Sequence, residues 1–196
     1  MKKIILASTS PRRKALLKQL GITFEVIASN FKEAIDAAIP PADLVKKQSL
    51  EKAKNVAQHE KNAIIIAADT LVVYRNHILG KPKDNHDAKR ILNLLNGHVH
   101  RIITGFTVLD TDTGKFITRS IETKVFFRKA TNKEIDDYVK TKEPLDKAGA
   151  YGIQEKGSIF IKKIEGDYYN VVGLPINAVV EELRKFGVTK SLFEIF

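Results

Sequence analysis

Hydrophobic and polar positions fall into short blocks whose period switches between strand and helix along the chain. Lys3-Ile4-Ile5-Leu6-Ala7 predicts a short buried strand, and Ala15, Leu16, Leu17 and Leu20 supply an apolar helical stripe directly after it. Ser10 stands where the N-cap of that helix belongs, with Pro11 at its first position and Gly21 beyond its end. Phe24 to Ala28 predicts a second strand, and a helix from Asp43 to Gln58 follows Pro40-Pro41. Ala63 to Ala68 is a continuous apolar run of strand length, which predicts burial on both faces. Leu71 to Tyr74 continues as strand, and Arg75-Asn76-His77 turns the chain back toward Ile78-Leu79.

The second half repeats the alternation. A helix is predicted from Asp87 to Asn96 with Gly97 at C′, then a long hairpin from His98 to Asp110 and Lys115 to Phe127. Thr131-Asn132-Lys133-Glu134 is a capping box that opens a helix to Lys140. Between Gly149 and Gly173 the pattern predicts strands at Ser158–Ile164 and Tyr169–Val172, and Pro175 introduces a last helix to Phe186. Interleaved strands and helices predict an α/β or mixed α+β fold. With no repeat, low-complexity tract or linker, residues 1–196 read as a single domain with room for two lobes.

Composition narrows the function classes. The chain has 43% hydrophobic and 29% charged residues, as expected of a globular domain with a substantial core. It contains no cysteine, which excludes disulfides and thiolate metal sites and points to a reducing, cytoplasmic setting. The early apolar run gives way to Ser-Thr-Ser-Pro-Arg-Arg too soon for a signal peptide, and nothing approaches the ~20 apolar residues of a membrane span. No membrane partner is therefore expected. The formal charge of +10 admits a nucleic-acid reading, but Lys46, Lys47, Lys52, Lys54, Arg128, Lys129, Lys162 and Lys163 are scattered. No aromatic–basic interleaving marks a stacking platform, so nucleic acid is not the expected partner. The same excess charge suits a small polyanion.

Four places can carry chemistry. Arg12 and Arg13 stand in the first turn of a helix, where the macrodipole disfavours cations. They belong there if an anion such as phosphate sits on the free backbone N–H groups; otherwise they are two solvated arginines. Asp69 ends the most apolar run in the chain, at the carboxyl end of its predicted strand, where ligand sites of open α/β sheets lie. It can act as a general base, hold a hard divalent cation, or simply cap the turn into Thr70. Lys81, between Gly80 and Pro82, is either a fixed point charge for a phosphate or part of a surface turn. It is not in a Walker A motif, because the upstream glycine and the Ser/Thr are missing. The stretch from Glu143 to Gln154 offers the Gln154 amide, whose donor and acceptor can read a pyrimidine edge, or a structural loop packed by Tyr151. Glu33 and Lys52 by themselves read as solvated charges, and His98-x-His100 has metal-ligand spacing but no third ligand suggested nearby. No nucleophile elbow or dinucleotide fingerprint is present.

Taken together these segments resemble the Maf proteins, nucleoside triphosphate pyrophosphatases also described as septum-formation inhibitors. The resemblance runs in order through Leu6 to Arg13, Glu33, Glu51-Lys52-Ala53, Ala68-Asp69-Thr70, Gly80-Lys81-Pro82, His100-x-x-x-Thr104, Asp146 to Gln154 and Val172-Gly173-Leu174-Pro175. It implies an elongated mixed sheet flanked by helices, with two lobes and a cleft, as in the inosine triphosphate pyrophosphatases. It implies cleavage of a nucleoside triphosphate to monophosphate and pyrophosphate with a divalent cation of the Mg²⁺ or Mn²⁺ class, and a homodimer. By match, Asp69 is the proton acceptor; Ser8, Arg13, Lys52 and Lys81 contact the triphosphate; Glu33 joins Asp69 near the metal. Arg12, Thr70 and Gln154 match the specificity positions, and Ala-Tyr-Gly-Ile-Gln resembles the branch acting on dTTP, UTP and modified pyrimidine triphosphates. The competing class is a regulatory binding protein, acting on cell division or nucleic acid, in which hydrolysis is incidental.

Overall fold

The computed structural model describes residues 2–36 and 38–188. Seven strands form one mixed sheet: β1 (Lys3–Leu6), β2 (Glu25–Val26), β3 (Ala63–Tyr74), β4 (His77–Leu79), β5 (Val99–Asp110), β6 (Phe116–Phe127) and β7 (Ile161–Glu165). The strand order is β2-β1-β3-β5-β6-β7, and β4 pairs with β3. β1 runs parallel to both β2 and β3, with Leu6 opposite Val26 on one side and Ile66 on the other. β4 on β3 and β7 on β6 are antiparallel. Among the described residues six α-helices accompany the sheet: α1 (Pro11–Gln19), α2 (Pro41–Ala57), α3 (Asn85–Leu95), α4 (Asn132–Lys140), α5 (Tyr168–Val172) and α6 (Ile176–Lys185). The mixed α/β class expected from the pattern is the one observed.

Local signals account for the element starts. The Ser10 hydroxyl accepts from the Arg13 N–H at the head of α1, with Pro11 as the first helical residue. Thr131 and Glu134 complete the expected capping box of α4. In two segments the sequence misleads because a side-chain cap intervenes. Tyr169–Val172 is helical rather than extended, because the Asp167 carboxylate accepts from the N–H groups of Tyr169 and Asn170 and opens a short helix. Ser158–Phe160 lies in a 3₁₀ turn over Lys156–Phe160, started by the Glu143 carboxylate on the Lys156 and Gly157 N–H groups, so β7 begins only at Ile161.

The chain divides into two compact units. The first comprises residues up to Asp69, Thr104–Ile121 and the chain from Gly173 onward. Its core includes Ile5, Ala7, Ala53, Val56, Ala63, Ile65, Ala67 and Leu109. Helix α2 lies unusually close to β5 there: a Cβ on Gly105 would stand 2.4 Å from the Val45 carbonyl, so only glycine lets the helix backbone settle at this depth. A buried row of hydroxyls, Ser49 to Thr107 and Thr107 to Thr118, each 2.9 Å apart, registers α2 against β5 and β6. The second unit comprises Thr70–Ile103 and Glu122–Val172. Its core joins Val72, Leu92, Ile102, Val125 and Ile135 to the aromatic rings of Phe127, Tyr138, Tyr151 and Phe160.

Candidate active site

Three adjacent parallel strands deliver the first unit's polar residues to one end. Ser8 follows β1, Glu33 lies in the chain that leaves β2, and Asp69 stands beyond the stretch of β3 that pairs with β1. That is the carboxyl end of the parallel pairing, where a site is expected. Asp69 neither ends its strand nor caps a turn; β3 runs unbroken from Ala63 to Tyr74 and Asp69 is buried within it. The reason is periodicity. Ala63, Ile65 and Ala67 face the α2 core, and Asp69 is the next residue of the same face. A bare carboxylate would not survive there, so a cation must meet it.

Lys52 is that cation. It rises from the buried stripe of α2, with Val45, Ser49 and Val56 at helical spacing on the same side. Its ammonium is 2.7 Å from Asp69 Oδ1, bonds Glu33 Oε1, and reaches the Ala68 carbonyl at 3.4 Å. Lys52 and Asp69 are buried, whereas the Glu33 side chain is 60% exposed. Lys52 is thus an interior ion and not the solvated charge its local sequence suggests.

Arg13 comes from the first turn of α1 and is held by fixed oxygens. Its Nε donates to the Gly173 carbonyl at 2.8 Å, and Nη1 donates to the Ala68 carbonyl at 2.8 Å and to Ser8 Oγ at 3.3 Å. Burial lowers the guanidinium pKa; Asp69 and Glu33 act to raise it, and Arg12 adds to the lowering. An arginine remains cationic under such a shift. The pair of misplaced arginines therefore separates. Arg13 is built into the cluster, and Arg12 sits beside it, partly exposed, on the same turn. The Gly173 carbonyl is a participant that side-chain reading missed. The Val-Gly-Leu-Pro segment flagged its neighbourhood, but a backbone acceptor leaves no residue-type signal.

The cluster has one open valence. Asp69 Oδ2 is buried and has no hydrogen-bond partner. Beside the half-exposed Glu33 carboxylate it presents hard oxygen donors, the set that suits Mg²⁺ or Mn²⁺. Among the described residues no three His, Cys, Asp or Glu side chains converge, so these two carboxylates alone would not enclose an ion. They would suit a divalent cation only with further oxygen ligands from outside the chain's own carboxylates.

The other expected site residues belong to the second unit. Thr70 is the first β3 residue of that unit, and Lys81 is exposed just beyond β4, next to Gly80, whose carbonyl accepts from Gly149 N at 3.1 Å. Gln154 is exposed at a turn downstream of Tyr151, which is buried. The Tyr151 hydroxyl lies 2.7 Å from His100 Nε2, and the His100 and Phe127 rings meet it edge-on. Burial drives the His100 pKa down to about 3 and pushes the Tyr151 phenol up, so both are neutral. His98, for its part, packs at a 59° tilt against the Tyr74 ring, with centroids 5.5 Å apart.

A family model described as Maf-like protein matches residues 3–186. A dTTP/UTP pyrophosphatase of Bacillus cereus (strain ATCC 10987 / NRS 248) is 50% identical over 188 residues, covering 96% of this chain and 92% of the relative. One from Bacillus anthracis is also 50% identical, covering 96% of this chain and 97% of that protein. Among solved structures, the Staphylococcus aureus Ham1 protein superposes with a TM-score of 0.49 at 16% identity, covering 94% of this chain and 100% of that one.

Proposed function

Because the chain belongs to the Maf family, we propose that it hydrolyses the α–β phosphoanhydride bond of dTTP and UTP, yielding the nucleoside monophosphate and pyrophosphate. Modified pyrimidine triphosphates are further substrates on this reading. Its support is twofold: relatives at 50% identity carry the name dTTP/UTP pyrophosphatase, and Asp69 keeps one buried oxygen open beside two fixed cations.

Attack on the α-phosphorus requires an oriented water, a proton acceptor and neutralisation of a strongly anionic substrate. Asp69 is the acceptor. Its Oδ1 is occupied by Lys52, which leaves Oδ2 to align a water and take its proton. The water oxygen bonds to the α-phosphorus, the bond to the α–β bridging oxygen breaks, and pyrophosphate departs with that oxygen. Arg13 and Lys52 counter the phosphate charge, and the Ser8 hydroxyl adds a neutral donor. Fixed on carbonyl oxygens, the Arg13 guanidinium needs no reorganisation as charge develops. Glu33 and Asp69 are the carboxylates that would hold a divalent cation, which when bound supplies further neutralisation of the phosphate oxygens. Lys81 as a phosphate contact and Arg12, Thr70 and Gln154 as base-selecting residues rest on the resemblance. So does the homodimer, while the cytoplasmic setting rests on the cysteine-free composition; among the described residues no helix is long and apolar enough to cross a membrane.

The test is product identification from a panel of canonical and modified triphosphates, with Mg²⁺ or Mn²⁺ supplied. Monophosphate and pyrophosphate from dTTP and UTP are expected. Orthophosphate as the only phosphate product would overturn the reading.

A further inference from the structure

The second unit contains a buried ammonium that the proposed reaction does not use. Lys147 Nζ donates to the Glu143 carbonyl at 2.9 Å and to Asp146 Oδ1 at 2.7 Å, and it pairs with Glu155 Oε2 at 3.0 Å. An ammonium has three N–H donors, so these three oxygens satisfy it completely. Its aliphatic stem runs beneath Gly152: a Cβ there would stand 2.9 Å from Lys147 Cε. Gly157 closes the turn from the other side, since a Cβ on it would meet Gly152 N at 2.9 Å and the Tyr138 hydroxyl at 2.5 Å. Glu143 ties the same turn at its base, accepting from Lys156 N, Gly157 N and the Tyr138 hydroxyl.

Upstream, the segment is pinned by the buried Tyr151 hydroxyl at His100. Downstream, Phe160 is fully packed. Between these anchors the chain from Gly152 to Glu155 has no regular structure of its own, and Gln154 lies exposed within it. The Glu155 side chain, next after Gln154, is tied to the buried ammonium of Lys147, while its carbonyl accepts from Ser158 N at 3.0 Å. We propose that Lys147 is a positioning residue for base selection: its ammonium fixes the turn that presents the Gln154 amide before any nucleotide binds. This rests on the proposed function and on the assignment of Gln154 to base reading.

The physical case is one of preorganisation. A preordered amide gives the base it matches its full hydrogen-bond gain. If the turn is loose, that base must bear the cost of ordering it, whereas a base the amide does not match need not order it and loses nothing, so selectivity falls. A buried lysine merely supporting the fold would affect stability without touching selectivity.

The test measures kcat and KM for dTTP and dATP on the wild type, Gln154→Ala, Lys147→Met and the double variant, all below their melting temperatures. Lys147→Met keeps the stem's apolar length and removes the charge. Its dTTP-over-dATP ratio of kcat/KM is expected to fall roughly 10-fold, the order lost with one hydrogen bond to the base, chiefly through KM for dTTP. The double variant should be no less selective than Gln154→Ala alone, since both act through one amide. If Lys147→Met does not fold, Glu155→Gln decides, with a smaller fall of roughly 3-fold from loss of one partner. A wild-type ratio in the folded Lys147 or Glu155 variant, with selectivity lost in Gln154→Ala, overturns the proposal. Undiminished selectivity in Gln154→Ala removes its premise, and absence of dTTP turnover in the wild type overturns the functional reading itself.

Discussion

Among the described residues two lysines are buried, one in each unit, and each ammonium meets three oxygens. Lys147 is surrounded by local partners, Glu143, Asp146 and Glu155, and the Asp146 and Glu155 side chains reach solvent at 65% and 41% exposure. Lys52 joins residues distant in sequence, Glu33, Ala68 and Asp69, and Asp69 is buried with its second oxygen unpartnered. The difference separates scaffolding from chemistry. A cluster whose polar groups are all matched can only hold geometry. One that buries an unmatched carboxylate oxygen carries a desolvation cost that folding alone gives no reason to keep.

The sharpest way to break this contrast is at Asp69. Asp69→Asn retains shape and hydrogen bonding but removes the proton acceptor, and turnover of dTTP should fall by roughly 10²–10⁴-fold, the usual worth of a general base. Circular dichroism should remain that of the wild type. An active Asp69→Asn enzyme would remove Asp69 from its role.

Next comes stability. Lys52→Met leaves the Asp69 carboxylate buried without its cation, which should cost about 3–5 kcal/mol in urea unfolding. Adding Asp69→Asn to Lys52→Met should recover much of that loss, because the uncompensated charge is gone. Lys147→Met should cost less, about 1–3 kcal/mol, since its carboxylate partners can turn to water. Equal losses at the two lysines would erase the distinction.

The smallest expected effect concerns pH. His100 is neutral when folded, with its pKa driven to about 3 by burial, against 6.5 for the ordinary group. Above pH 6.5 neither folded nor unfolded state is protonated there, so the residue is silent. As pH falls from 6.5 toward 3, the unfolded chain gains a proton that the folded one does not, and stability declines. Replacing the ring with His100→Gln should flatten the urea midpoint against pH in that window; an unchanged slope would contradict a neutral buried imidazole.

The sequence made the element order legible because most starts carry their own caps, Ser10 and Thr131 above all. It misjudged Asp69, since a carboxylate inside an apolar run reads as a break. Only the tertiary approach of Lys52, held deep by Gly105, lets the strand continue. Lys52 and Glu33 are unremarkable in their own segments for the same reason: each gains meaning from residues far away in the chain. Tyr169–Val172 failed differently, because a local cap at Asp167 outweighed the strand-like composition. Backbone acceptors, the carbonyls of Ala68 and Gly173, were invisible to residue-type reasoning altogether.

The most direct measurement is the fate of the attacking oxygen. Hydrolysis of dTTP in ¹⁸O-labelled water should place the label in dTMP and leave pyrophosphate unlabelled, as attack at the α-phosphorus requires. Label in pyrophosphate, or dTDP with labelled orthophosphate, would mean that attack occurs at another phosphorus and would contradict the account.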